Sequence, residues 1–183
     1  MANNSPDSSA AHRRGFRSAQ AGKVGGENGT KGQAMSDAEI IVPADIERAF
    51  AVLSDGWLYA GWVVGASHIR DVDPDWPAVG SRIHHSVGPW PFTAKDVTVV
   101  RAAEPPRRLE LEARLWPVGS AHIILELTAT GPETTRIVMR EHAMRGPGTL
   151  LPNSLQHAAI KPRNQESLAR LCHLIVGRAR TRD

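Results

Sequence analysis

From about residue 63 onward, apolar and polar side chains alternate with a period of two. Leu109, Leu111, Ala113 and Leu115 fall on one face of an extended chain, with Glu110, Glu112 and Arg114 on the other. Ile123, Leu125, Leu127 and Ala129 likewise oppose His122, Glu126 and Thr128. One wet face and one buried face is the pattern of an antiparallel sheet. The alternation predicts strands over Ser67–Val72, Gly80–Val87, Phe92–Arg101, Arg107–Trp116, Ala121–Thr130 and Thr134–Met144. Turn residues separate them, among them Asp73-Pro74-Asp75, Gly88-Pro89 and Gly131-Pro132-Glu133. A short apolar run at Ala38–Val42 adds a first strand, for about seven in all.

Two regions depart from this alternation and follow helical spacing instead. Ile46, Ala49, Phe50 and Leu53 share one helix face with Glu47 and Arg48 turned outward, starting near Pro43 or Ala44 and ending at Ser54-Asp55-Gly56. A second short helix is expected over the aromatic cluster Trp57, Tyr59 and Trp62. Near the C-terminus, Leu168, Leu171, Cys172, Ile175 and Ala179 line one face, and Arg170, His173 and Gly177 the other. This helix is predicted from Pro162, whose missing N–H suits a first turn, to Ala179, a rod of about 27 Å. An earlier start at Asn153 or Ser154, with a bend at Pro162, is the alternative, the preceding stretch from Thr149 otherwise reading as a linker. The expected architecture is α+β: a curved antiparallel sheet wrapped around one long terminal helix, with two short helices after the first strand.

Composition divides the 183 residues in two. Residues 1–34 hold Met1, Phe16 and Val24 as their only large apolar side chains, too few to offset the entropy of ordering, and are predicted to be a disordered tail. Met35 is a candidate alternative start. Residues 35–183 are the expected folded domain. The tail carries five basic residues against two acidic ones, which accounts for the net charge of +3 and leaves the rest neutral. A neutral body argues against a nucleic-acid surface. The single cysteine excludes an internal disulfide, and its place on the apolar helix face reads as an inert thiol. No apolar run is long enough to cross a bilayer, and the tail lacks the apolar core of a secretory signal, so a cytoplasmic location is expected. Monomer and homodimer both remain open.

In this order of elements the chain resembles the START-like superfamily of helix-grip proteins, which includes polyketide cyclase/dehydrase-type and pollen-allergen-type members. The resemblance rests on IVPADIERAFAVLSD followed by an aromatic cluster with Trp62, VGSRI opening a strand, EPPRRLEL, TRIVMREH ending in RGPG, and RNQESLARL in the final helix. It covers about Met35 to Ala179. It implies a cavity between sheet and long helix that binds an apolar or amphipathic small molecule, such as a lipid or polyketide-like compound. Some members are enzymes, many are carriers or sensors, and some are co-chaperones or have no known ligand, so a cyclase/dehydratase-type enzyme and a ligand-free interaction or regulatory module are the alternatives for this chain.

Nothing in the chain matches a nucleophile elbow, a phosphate loop or a metal-binding spacing, so no cofactor or metal is expected. His84 and His85 adjoin on a strand and point to opposite faces. His85 shares parity with Ile83 and Val87, hence the concave face, either as a satisfied core histidine or as a polar handle in the pocket. Of Glu141 and His142, one should face inward. An inward Glu141 would be either a general base or one half of an ion pair with an arginine on a neighbouring strand. Glu141 and His85 are thus the only candidates for catalysis, and carriage is favoured over chemistry. Candidate ligand contacts are Trp62, Ile83, His85, Phe92, Leu111, Trp116, Leu125, Met139, Glu141, Leu168, Leu171, Cys172 and Ile175. The aromatics Trp57, Tyr59 and Trp90 read either as core and pocket covers or as further contacts.

Overall fold

Strand β1 (Ser36–Val42) opens the fold and leads through Pro43 into helix α1 (Ile46–Leu53). A computed structural model describes residues 36–88, 93–115, 119–145 and 153–180, all within a compact unit spanning Gln33–Asp183. The predicted tail, Trp90, Phe92 and Trp116 lie outside the described residues. The N-cap of α1 is Asp45: its carboxylate accepts from the Arg48 main-chain N–H at 2.7 Å, satisfying a donor the helix itself leaves unpaired. Asp55 does the same for a 3-10 turn, Gly56–Leu58, that runs into the four-residue helix α2 (Tyr59–Trp62).

Six strands follow: β2 (Ala66–Val72), β3 (Arg82–Val87), β4 (Ala94–Glu104), β5 (Arg108–Leu115), β6 (Gly119–Gly131) and β7 (Thr134–Arg145). Every neighbouring pair is antiparallel, and the order across the sheet is β1-β7-β6-β5-β4-β3-β2. Register shifts at Val100/Ala102 and within β2 mark bulges, which bend the strands that carry them. Leu109, Leu111, Ala113, Ile123, Leu125 and Leu127 are buried, as the alternation requires.

The long helix α3 runs from Asn153 to Arg180, and its first nine residues precede Pro162. The prediction that the helix begins at Pro162 is therefore corrected in favour of the start at Asn153. Pro162 sits in the interior, where it cannot donate to the Ala158 carbonyl. Leu168, Leu171 and Ile175 are buried against β1, α1 and α2, while Arg170, His173 and Gly177 face solvent. Near the end of α3, Arg178 pairs with Asp55 at 2.6 Å, tying the helix to the turn before α2.

Candidate functional site

The inward row of the sheet is apolar along most of its length, but β3, β4 and β7 each place polar side chains on it. His85, Thr98 and Glu141 are 2 %, 0 % and 1 % exposed. Strand parity explains this: His85 follows Ile83, Thr98 precedes Val100, and Glu141 follows Ile137 and Met139 on the same face. His85 and Glu141 border a cavity of about 350 Å³ between the sheet and the helices α2 and α3, and Thr98 lies behind His85. Val63, Val64, Gly65 and Ala66 form one wall, Val87, Ala94 and Ala113 another, and Ile123 and Met139 the sheet side. Tyr59, His85, Arg114, Glu141, Arg163 and Ser167 supply the polar surface. A volume of this order accommodates a small organic molecule.

Two polar groupings stand out. In the first, Tyr59 Oη and His85 Nε2 each lie 3.0 Å from Thr98 Oγ1, and the Tyr59 and His85 rings sit 5.3 Å apart. Burial pushes the Tyr59 phenol up to about 12, against the opposing effect of the Thr98 hydrogen bond. Burial likewise pushes His85 down to about 4, reinforced by the positive charge of Arg70. The Ser86 main chain beside the ring opposes that shift, yet His85 Nδ1 has no hydrogen-bond partner of ordinary geometry. Both groups are thus neutral near pH 7. Arg70 braces this wall from β2, donating to the His85 carbonyl and, at 3.3 Å, to that of Asp96.

In the second grouping, Arg163 on α3 donates to the Glu141 carboxylate. Its Nη2 also reaches Asn164 Oδ1 at 3.3 Å, while Arg163 Nε and Asn164 Nδ2 are buried with no acceptor among the described residues. Glu141 therefore faces inward and His142 outward, where His142 meets His122 edge-to-face at 5.0 Å. The ion pair foreseen for Glu141 exists, but its cation comes from the helix and not from a neighbouring strand. Ser167, one turn after Arg163, accepts from the Val64 N–H at 3.2 Å and holds the turn after α2 against α3.

Of the predicted ligand contacts, His85, Met139 and Glu141 line the cavity together. Trp62, Ile83, Leu111, Leu125, Leu168, Leu171 and Ile175 lie in the packed core rather than in the cavity lining, and Cys172 is half-buried against that core, its thiol pushed up by burial. Trp57 is 60 % exposed, whereas Tyr59 and Trp62 are buried edge-to-face. Tyr59, Thr98, Arg163 and Ser167 were not singled out as polar site residues by the sequence. Arg163 was nevertheless legible: with Ser167, Leu171 and Ile175 it forms a row at spacing four. Among the described residues, no group of three His, Cys, Asp or Glu side chains is placed to hold a metal ion, and no helix is long and apolar enough to cross a membrane.

A family model described as polyketide cyclase / dehydrase and lipid transport matches residues 33–174. No curated protein matches the chain. Solved structures of similar fold include a protein from Arthrobacter aurescens, with 14% identity over 79% of this chain and 87% of that one and a TM-score of 0.62. A START superfamily protein from Mycobacterium smegmatis is 16% identical over 81% of this chain and 99% of that one, with a TM-score of 0.57. DynU16, from the dynemicin biosynthetic locus, is 20% identical over 76% of this chain and 46% of that one, with a TM-score of 0.55. At these identities the likeness is one of fold.

Proposed function

Because the chain belongs to the polyketide cyclase / dehydrase and lipid transport family, a START-like family, we propose that it binds a hydrophobic or amphipathic small molecule between its sheet and α3. The observation that carries this reading is the cavity of about 350 Å³, walled by small and aliphatic side chains and floored by a compensated ion pair. Apolar walls supply transfer free energy of about 25 cal/mol per Å² of ligand surface removed from water. A few fixed polar groups orient what enters.

Native mass spectrometry of the protein purified from its own host tests the reading. The expected result is a co-purified apolar molecule released on denaturation. Repeated absence of any adduct, together with no uptake of apolar probes in solution, overturns it.

A second reading, acid–base chemistry of the cyclase or dehydratase kind, is favoured by one specific feature. Tyr59 and His85 are two titratable groups joined through a single hydroxyl at the cavity wall. Turnover of a carbonyl-bearing chain that is lost in His85→Gln, with binding retained, is the outcome that would select it.

A further inference from the structure

On the outer face of the sheet, charge is mostly answered by charge. Arg101 pairs with Glu112, Arg108 with Glu110, Arg136 with Glu39, and Arg140 with Glu126 and Asp37. Arg82 on β3 and Arg114 on β5 depart from this. The register sets Arg82 opposite Val99 and Arg114 opposite Ser120, and neither guanidinium has an ion-pair partner among the described residues. Asp73 accepts from the Arg82 main-chain N–H at 3.0 Å and faces His84 at 3.8 Å. Between the two arginines runs β4, whose outward parity reads Lys95, Val97, Val99, Arg101. Two half-buried valines thus stand where neighbouring strands carry charge. Arg82, Arg101 and Arg114 rim a groove of about 370 Å³ with Val97 and Val99 as its floor. Glu112 offsets one of the three charges through Arg101. The folded part is neutral as a whole, so this is a local positive field over an apolar strip.

The spacing narrows the kind of partner. Arg82 lies opposite Val99, and the pairing of Thr98 with Ala113 sets Arg114 beside Val97. The two arginines therefore flank β4 from either side, two residues apart along it. Strand spacing and rise then put their Cα atoms about 12 Å apart. On a helix, residues seven apart are about 10.5 Å from each other and share a face with the residue three or four along. We propose that this groove docks an acidic amphipathic helix of a partner protein. Two carboxylates, two turns apart, meet Arg82 and Arg114, and an aliphatic side chain between them covers Val97 and Val99. Guanidinium forks hold carboxylates through paired hydrogen bonds. A neutral helix gains nothing from the arginines, and an evenly charged polyanion gains nothing from the valines. Arg114 also borders the cavity, so the tests turn on Arg82 and Glu112, which do not.

Nitrogen–proton NMR of the full chain tests the proposal, with an alanine-rich helical peptide carrying glutamate at i and i+7 and leucine at i+3. The peptide is expected to shift the main-chain signals of Arg82, Val97, Val99 and Arg101. Glutamine in place of both glutamates should abolish the shifts, and alanine in place of the leucine should weaken binding. Arg82→Gln should weaken binding about threefold, the worth of an exposed ion pair. Glu112→Gln should tighten it by about the same factor, because it releases Arg101. A loosened fold does not produce a tighter complex. Absence of shifts, shifts confined to the cavity lining, or an affinity indifferent to both substitutions overturns the proposal. The last of these would assign the peptide to the basic residues of the tail. Vesicles of phosphatidylglycerol and a thymidine oligonucleotide are the competing probes, and neither is expected to depend on Arg82. If either binds more tightly than the peptide and loses that binding in Arg82→Gln, the groove takes phosphates and the helical partner is overturned.

Discussion

Glu141 is the residue whose environment asks most of its partner. This carboxylate is 1 % exposed, and Arg163 reaches it from α3. Removing one member of a buried pair strands the other, so Arg163→Ala is expected to cost about 3 kcal/mol in urea denaturation. Replacing both residues by leucine should recover most of that loss. His85 sets a second expectation at this scale. Its ordinary value is 6.5, and burial brings it to about 4 in the fold. As pH falls through 6.5 the unfolded chain takes up the proton first, so the folded state loses stability between pH 6.5 and 4 and levels off below. His142, lowered by burial and by His122, contributes with the same sign. Denaturation series across that window should show a slope that His85→Gln reduces. A slope unchanged by the substitution would assign the acid sensitivity elsewhere.

Among the elements, α3 packs on β1, α1 and α2 through buried side chains. Leu171 is fully buried on it, and Leu171→Ala should cost about 2–5 kcal/mol by chemical denaturation. A loss below about 0.5 kcal/mol would contradict the assignment of the helix face. The turn after α2 carries a different constraint. Gly65 has φ +104 at the edge of the cavity, and its carbonyl accepts from the Gly88 N–H at 3.4 Å. The space around it is open, so Gly65→Ala should cost about 1 kcal/mol through backbone strain alone. Most elements were legible in the sequence because their signals are local. The parity of Leu109 to Leu115 and the spacing of Leu168 to Ile175 depend only on neighbouring residues. The start of α3 was masked by Pro162, which ends helices more often than it sits inside them. The partner of Glu141 was not legible as an interaction, since no local pattern says which element's arginine will arrive at a given strand. Thr98 carried a weak sign, a hydroxyl on the inward parity of β4 beside Val100.

For the molecule as a whole, the open interior trades cohesion for capacity. Ala113 stands on the cavity wall with a methyl group where a larger side chain has room. Ala113→Leu is expected to keep the fold within about 1 kcal/mol while reducing uptake of apolar probes by about tenfold, read by calorimetry beside thermal melting. Loss of folding without any change in uptake would mean that the space is not available to a guest. The sheet order has a consequence of another kind. β1 precedes the other described strands yet has β7 as its neighbour in the sheet, with Ser36 opposite Glu141 roughly a hundred residues later. On the ribosome, this strand must wait for about a hundred further residues before it finds its neighbour, and it offers an unsatisfied edge to chaperones and to other nascent chains throughout that interval.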